Sequence, residues 1–120
     1  MEITVSELEK LSPDSYILYD TRSETEKMYG IMEGAVSLSA DELLSAPPED
    51  KTKKLIVCCA RGKFSVDTAE RLSKMGYDAC SLSGGYAAWL LALMQKEQAD
   101  EVSRHVEQSL QKKFRKKIRA

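Results

Sequence analysis

Little in this chain marks it for export or for a membrane. The opening stretch MEITVSELEK has neither a basic start nor an apolar core, so it does not read as a secretory signal. No apolar run approaches the ~20 residues that a membrane-spanning helix needs. Cysteine is scarce and odd in number, three in all, which does not make a disulfide framework. Together these absences predict a reducing, cytoplasmic setting and no membrane contact. Histidine is scarcer still: the single one, His105, lies near the carboxyl end, so a Cys-His dyad or a histidine-based metal site has little support. Internal repeats and low-complexity segments are absent as well.

What is present fits one compact domain. The chain has 120 residues, 42% of them hydrophobic and 31% charged. The net charge of -1 hides an asymmetry. From Gln98 onward seven Lys/Arg face three Asp/Glu, a net +4, which leaves -5 for residues 1–97. An acidic domain therefore carries a basic tail.

The apolar pattern alternates between strand-like and helix-like runs. Ile3 to Val5 reads as a short strand, with Ser6 capping a short helix through Leu11. Ser12-Pro13-Asp14 reads as a turn. Tyr16 to Tyr19 is a continuous apolar run ending at Asp20, as a buried parallel strand requires. Ser23 and Glu26 have the spacing of a capping box, and that helix should stop near Gly30. Ala35 to Leu38 is a strand, Asp41 to Ser45 a short helix stopped by Pro47-Pro48, and Leu55 to Cys59 the second strong apolar run. Ser65 is placed to cap a helix over Val66 to Met75, closed by Gly76. Ala79 to Leu82 is a strand, Gly84-Gly85 a turn, and a helix begins at Tyr86. Strands alternating with helices predict an α/β fold with a mainly parallel sheet.

The chemistry concentrates after Cys59. An apolar strand runs into the loop Cys59-Ala60-Arg61-Gly62-Lys63-Phe64, and Ser65 begins the next helix. Cys59 then sits at the carboxyl end of a parallel strand, where α/β folds place ligands. Inward backbone N–H groups, the helix dipole and the charges of Arg61 and Lys63 all favour a thiolate. Period-two alternation sends the neighbouring Cys58 elsewhere, into packing, and Cys80 reads as strand core too. Two chemistries use such a cradle. A thiolate phosphatase or an arsenate reductase of that type needs Arg six positions after its cysteine to grip the oxyanion, and here that position is Ser65. A loop of six suits sulfur better: attack on a sulfane sulfur that leaves a cysteine persulfide.

These elements resemble the rhodanese-like sulfurtransferases over roughly Ile3 to Met94. The resemblance rests on four ordered features: Asp20-Thr21-Arg22 after an early strand, Gly34-Ala35 before the next, Cys59 opening a six-residue loop ahead of Ser65, and Gly84-Gly85 with Trp89 near the end. Two departures stand out. Ile31-Met32-Glu33 occupies the place where the family often has His-Ile-Pro, and Phe64 the loop position that is often Arg. The resemblance implies a rhodanese-like domain with Cys59 as catalytic nucleophile. Ala60, Arg61, Gly62, Lys63, Phe64 and Ser65 would form the persulfide-binding loop, with Asp20 and Arg22 in structural support. It implies no metal and no organic cofactor, and a small sulfur donor or a protein persulfide as partner. The alternative is a non-catalytic rhodanese-fold module that binds or regulates a partner.

The boundary falls near residue 97. Over residues 98–120, Val102, Val106, Leu110, Phe114 and Ile118 recur every fourth position and make one apolar stripe on a basic helix. VEQSLQKKFRKKIRA is similar to the opening of the ATPases that thiolate tRNA, the 2-thiocytidine biosynthesis family. That similarity implies a tail that opens a further domain, a fused or separate tRNA-modifying ATPase as partner, and direct nucleic-acid contact by the basic tail.

Overall fold

The computed structural model describes residues 1–119, with side chains through Gln111. Five strands pair in parallel throughout, in the order β1 (Glu2–Ile3), β5 (Ala79–Leu82), β4 (Lys54–Cys58), β2 (Tyr16–Asp20), β3 (Val36–Ser37). The two continuous apolar runs of the sequence are the central strands β2 and β4, buried on both faces as parallel sheets demand. Alternation divides their side chains. Leu55 and Val57 join Ala79 and Tyr19 on one face, packed against Ala69 and Leu72 of α4 (Phe64–Lys74) and Leu43 of α3 (Ala40–Ser45). Ile56 and Cys58 join Leu18, Cys80 and Leu82 on the other, beneath Leu8 of α1 (Val5–Glu9). Tyr86 and Trp89, at the start of α5 (Gly85–Arg119), pack on that second face and stack with ring centroids 5.8 Å apart.

Helix starts follow the capping chemistry of the sequence. Ser23 and Glu26 form a complete capping box ahead of α2 (Glu24–Lys27). Two further boxes replace weaker readings. Thr4, not Ser6, caps α1, because Thr4 and Glu7 answer each other's backbone N–H groups, and β1 is correspondingly shortened to Glu2–Ile3. Ser39 and Glu42 do the same for α3. Ser65 is not a cap: α4 begins at Phe64, Lys63 precedes it in helical geometry, and Ser65 lies buried inside the first turn.

By contacts the chain divides into two units, Met1–Trp89 and the residues from Leu90 onward. The second is helical, and Val102, Val106 and Leu110 of the apolar stripe are exposed there. Phe114, Ile118 and the basic run Lys112 to Arg119 fall outside the described side chains. Among the described residues no helix is long and apolar enough to cross a membrane.

One ion pair braces the first unit. Arg22 grips Asp20 bidentately, Nε to Oδ1 at 3.0 Å and Nη2 to Oδ2 at 2.8 Å, and both side chains are buried. The same guanidinium donates to the carbonyls of Gly30 and Glu26 and lies 3.6 Å from the centre of the Tyr86 ring. It thus joins the end of β2 to the turn after α2 and to the start of α5. Burial pushes the Asp20 carboxyl up, but the Arg22 hydrogen bonds more than offset it, so Asp20 lies below the usual carboxylate range. Arg22→Met should destabilise the fold by about 3–5 kcal/mol in denaturant titrations, because it strands a buried carboxylate. A depressed pKa gives stability that is complete above the unfolded carboxylate value, about pH 4, and is lost as pH falls through the lower folded value. That acid-side loss from Asp20 should disappear in Arg22→Met.

Candidate functional site

β4 brings two adjacent cysteines to the carboxyl edge of the sheet with opposite fates. Cys58, its last residue, is fully buried in the face that holds Leu82 and Met32. Its thiol donates to the Cys59 carbonyl, and burial, with the Asp20 and Cys59 charges behind it, pushes the thiol up to about 12. At neutral pH it is therefore held as the thiol. Cys80 is buried in the same cluster.

Cys59 lies one residue beyond the strand, and its sulfur is surrounded by donors. The N–H of Gly62 lies 3.1 Å from Sγ, the N–H of Ser65 3.4 Å and the Ser65 hydroxyl 3.2 Å. Burial pushes the thiol up. The Ser65 hydroxyl and the N–H groups of Ser65, Gly62 and Phe64 together outweigh it, leaving Cys59 below the ordinary thiol range. The lowering comes chiefly from aimed hydrogen bonds. Arg61 and Lys63, from which the loop sequence suggests full charges acting on the sulfur, are instead exposed at the rim.

The loop presents its N–H groups inward because its carbonyls are held from outside. Tyr86 N–H donates to the Cys59 carbonyl at 2.8 Å and Ala87 N–H to the Ala60 carbonyl at 3.1 Å. These are free donors of the first turn of α5, which has no earlier carbonyls to bind. The approach requires glycine on both sides. A Cβ on Gly85 would overlap the Cys59 carbonyl oxygen and stand 2.7 Å from Gly62 N, and one on Gly62 would stand 2.9 Å from Gly84 N. Both positions also have positive φ, +58° at Gly85 and +85° at Gly62. Next door, Thr21 donates its N–H and hydroxyl to the Cys58 carbonyl at 2.8 and 2.9 Å, tying β2 to the loop entrance.

Cys59 opens into a cavity of about 490 Å³ whose wall includes Thr21, Arg22, Arg61, Lys63, Phe64 and Thr68. Ala60 and Glu26 also border it, while Phe64 is 83% exposed at its mouth. The loop residues Ala60 to Ser65 are therefore gathered around one sulfur. Asp20 is set back in the brace, and Arg22 belongs both to the brace and to the cavity wall. In the stretch where the family often has His-Ile-Pro, Met32 is core and Ile31 is 79% exposed. Sequence reasoning missed the backbone N–H groups of Tyr86 and Ala87, which hold the loop carbonyls, and Ser81. Ser81 is fully buried with its hydroxyl 2.6 Å from that of Ser65. The only available signal for Ser81 is alternation along β5, which puts it with Ala79 on the face that meets α4.

A family model for the Rhodanese-like domain matches residues 4–92. No curated protein sequence matches the chain. Among solved structures, a rhodanese-related protein from Thermoplasma volcanium is 25% identical, with a TM-score of 0.66 over 76% of this chain and 91% of its own. The human single-domain sulfurtransferase TSTD1 is 25% identical, with a TM-score of 0.65 over 74% of this chain and 94% of its own. A rhodanese-like domain protein from Staphylococcus aureus is 27% identical, with a TM-score of 0.65 over 74% of this chain and 91% of its own. With three-quarters of its length matched and its parallel sheet and six-residue cysteine loop in place, the chain belongs to the rhodanese-like domain family.

Proposed function

We propose that the protein is a sulfurtransferase that carries sulfane sulfur as a persulfide on Cys59. The observation that carries this reading is the set of donors converging on Cys59 Sγ at the base of an open cavity. The human neighbour's name, a single-domain sulfurtransferase, supports it. The Cys59 thiolate attacks the outer sulfur of thiosulfate. A new S–S bond forms, the old one breaks, and sulfite leaves with the electron pair. The negative charge then rests on the persulfide, within reach of the N–H groups of Gly62, Phe64 and Ser65 that already hold the thiolate. Arg61 and Lys63 at the rim draw the anionic donor in. An acceptor nucleophile attacks the outer sulfur in turn, releasing the Cys59 thiolate: cyanide in an assay, a thiol of a partner in the cell. A protein persulfide serves as donor by the same steps.

In this reading the acceptor side includes a tRNA-thiolating ATPase, fused or separate, and the basic run from Lys112 to Arg119 supplies nucleic-acid contact. Against a thiolate phosphatase stands Ser65, fully buried and hydrogen-bonded to the sulfur at the position where that chemistry needs an arginine.

Cys59→Ser should abolish thiosulfate-to-cyanide transfer while leaving the thermal transition within a few degrees of wild type, and persistent turnover in that variant would sink the assignment. A depressed thiol pKa keeps the thiolate available as pH falls, so the acid limb of the rate profile should lie on the acid side of an ordinary thiol's. Ser65→Ala removes the hydroxyl donor and should move that limb to higher pH, lowering the rate about threefold to tenfold on the acid side, as expected for a lost charge-assisted hydrogen bond. An unmoved limb would show that the hydroxyl does not stabilise the thiolate.

A further inference from the structure

Behind Ser65 the hydrogen-bond chain continues to one more group. Ser65 Oγ lies 3.2 Å from Cys59 Sγ and 2.6 Å from Ser81 Oγ, and both serines are fully buried. A serine hydroxyl has one hydrogen and can also accept. Among the described residues, the only partner of Ser81 Oγ is Ser65 Oγ. A buried hydroxyl hydrogen without an acceptor is costly, so Ser81 must point its hydrogen at Ser65. Ser65 Oγ then accepts from Ser81, and its own hydrogen has Cys59 Sγ as the remaining partner. Without Ser81 the Ser65 hydroxyl would lose the donor that holds its rotor with the hydrogen toward the sulfur.

We propose that Ser81 is a positioning residue for the Cys59 thiolate: from the strand beneath α4 it donates to Ser65 Oγ and so commits the Ser65 hydrogen to the sulfur. The placement follows from the fold. Alternation along β5 puts Ser81 on the α4 side, two residues after Ala79, and Ser65 is in the first turn of α4 above it. The relay favours the anion. If the Cys59 thiol donated its proton to Ser65 Oγ, which can accept from Ser81 at the same time, the Ser65 hydrogen would lose the sulfur as its acceptor and be left buried without one. Ser81 is not among the residues lining the cavity, and its hydroxyl is hydrogen-bonded to Ser65 and not to the sulfur, so its effect passes through Ser65. The inference rests on the reading of Cys59 as the reactive sulfur, but its test follows proton loss from the thiol, which a failure of sulfur transfer would leave readable.

The test is the pH dependence of Cys59 alkylation by iodoacetamide in the full chain, with the modified cysteine located by peptide mass spectrometry. Ser81→Ala should move the midpoint upward, cutting the rate about threefold to tenfold at pH values below both midpoints, with the high-pH plateau nearly unchanged. Ser65→Ala should shift it in the same direction, and the Ser65→Ala, Ser81→Ala double variant should match Ser65→Ala alone. The nearly isosteric pair Ser81→Thr and Ser81→Val guards against loss of packing: Thr should keep the wild-type midpoint and Val should reproduce the alanine shift. A merely structural Ser81 would lower the melting temperature in these variants without moving the midpoint. An unmoved midpoint in Ser81→Ala, a shift that adds in full to that of Ser65→Ala, or equal midpoints for Thr and Val would overturn the proposal.

Discussion

The site depends on two hydrogen bonds that never touch the sulfur. Tyr86 and Ala87, in the first turn of α5, donate their N–H groups to the carbonyls of Cys59 and Ala60. With its carbonyls held outside, the loop turns Gly62, Phe64 and Ser65 N–H groups inward toward Sγ. The close contact exists because Gly62 and Gly85 carry no Cβ, and a methyl on either would meet backbone atoms of the other segment. The Arg22 brace works at the same place from below. Its guanidinium lies against the Tyr86 ring while gripping Asp20, so the end of β2 and the start of α5 are fixed together. A cradle built of backbone N–H groups needs such outside restraint, because its donors have no side-chain rotamers to lock them.

Cys58 and Cys59 show how finely position sets thiol acidity. They are adjacent, and both are buried. One residue of pleat sends Cys58 into an apolar cluster beside a carboxylate, and its thiol is pushed up to about 12. The next residue turns Cys59 into the ring of donors, which outweighs the same kind of burial. Burial raises both thiols, and hydrogen bonding decides between them.

Much of this was legible in the sequence. The apolar runs at Tyr16 and Leu55, the capping box at Ser23 and Glu26, and the turn glycines fixed the order of elements and set Cys59 at a strand end, because each depends on local chemistry. The errors are local as well. Ser65 has the residue type and position of an N-cap, yet the helix starts at Phe64, two residues before the expected Val66, and sets the serine hydroxyl beside the sulfur, a choice that depends on where Cys59 and Ser81 lie in space. Likewise the loop sequence points to inward N–H groups and to the charges of Arg61 and Lys63 together; that the N–H groups reach the sulfur while both charges stay at the rim depends on the folded loop. Ser6 has the residue type of an N-cap, but Thr4, with Glu7 three residues on, completes a capping box and takes the position.

The central claim is that Cys59 is the thiol that takes up sulfane sulfur. It is tested most directly by the mass of the intact protein and its peptides after exposure to thiosulfate without acceptor. The account predicts a gain of about 32 Da, one sulfur atom, on the Cys59 thiol of the Cys58-Cys59 peptide, reversed by cyanide, with Cys80 unmodified. No gain, or a gain placed on Cys58 or Cys80, would contradict it.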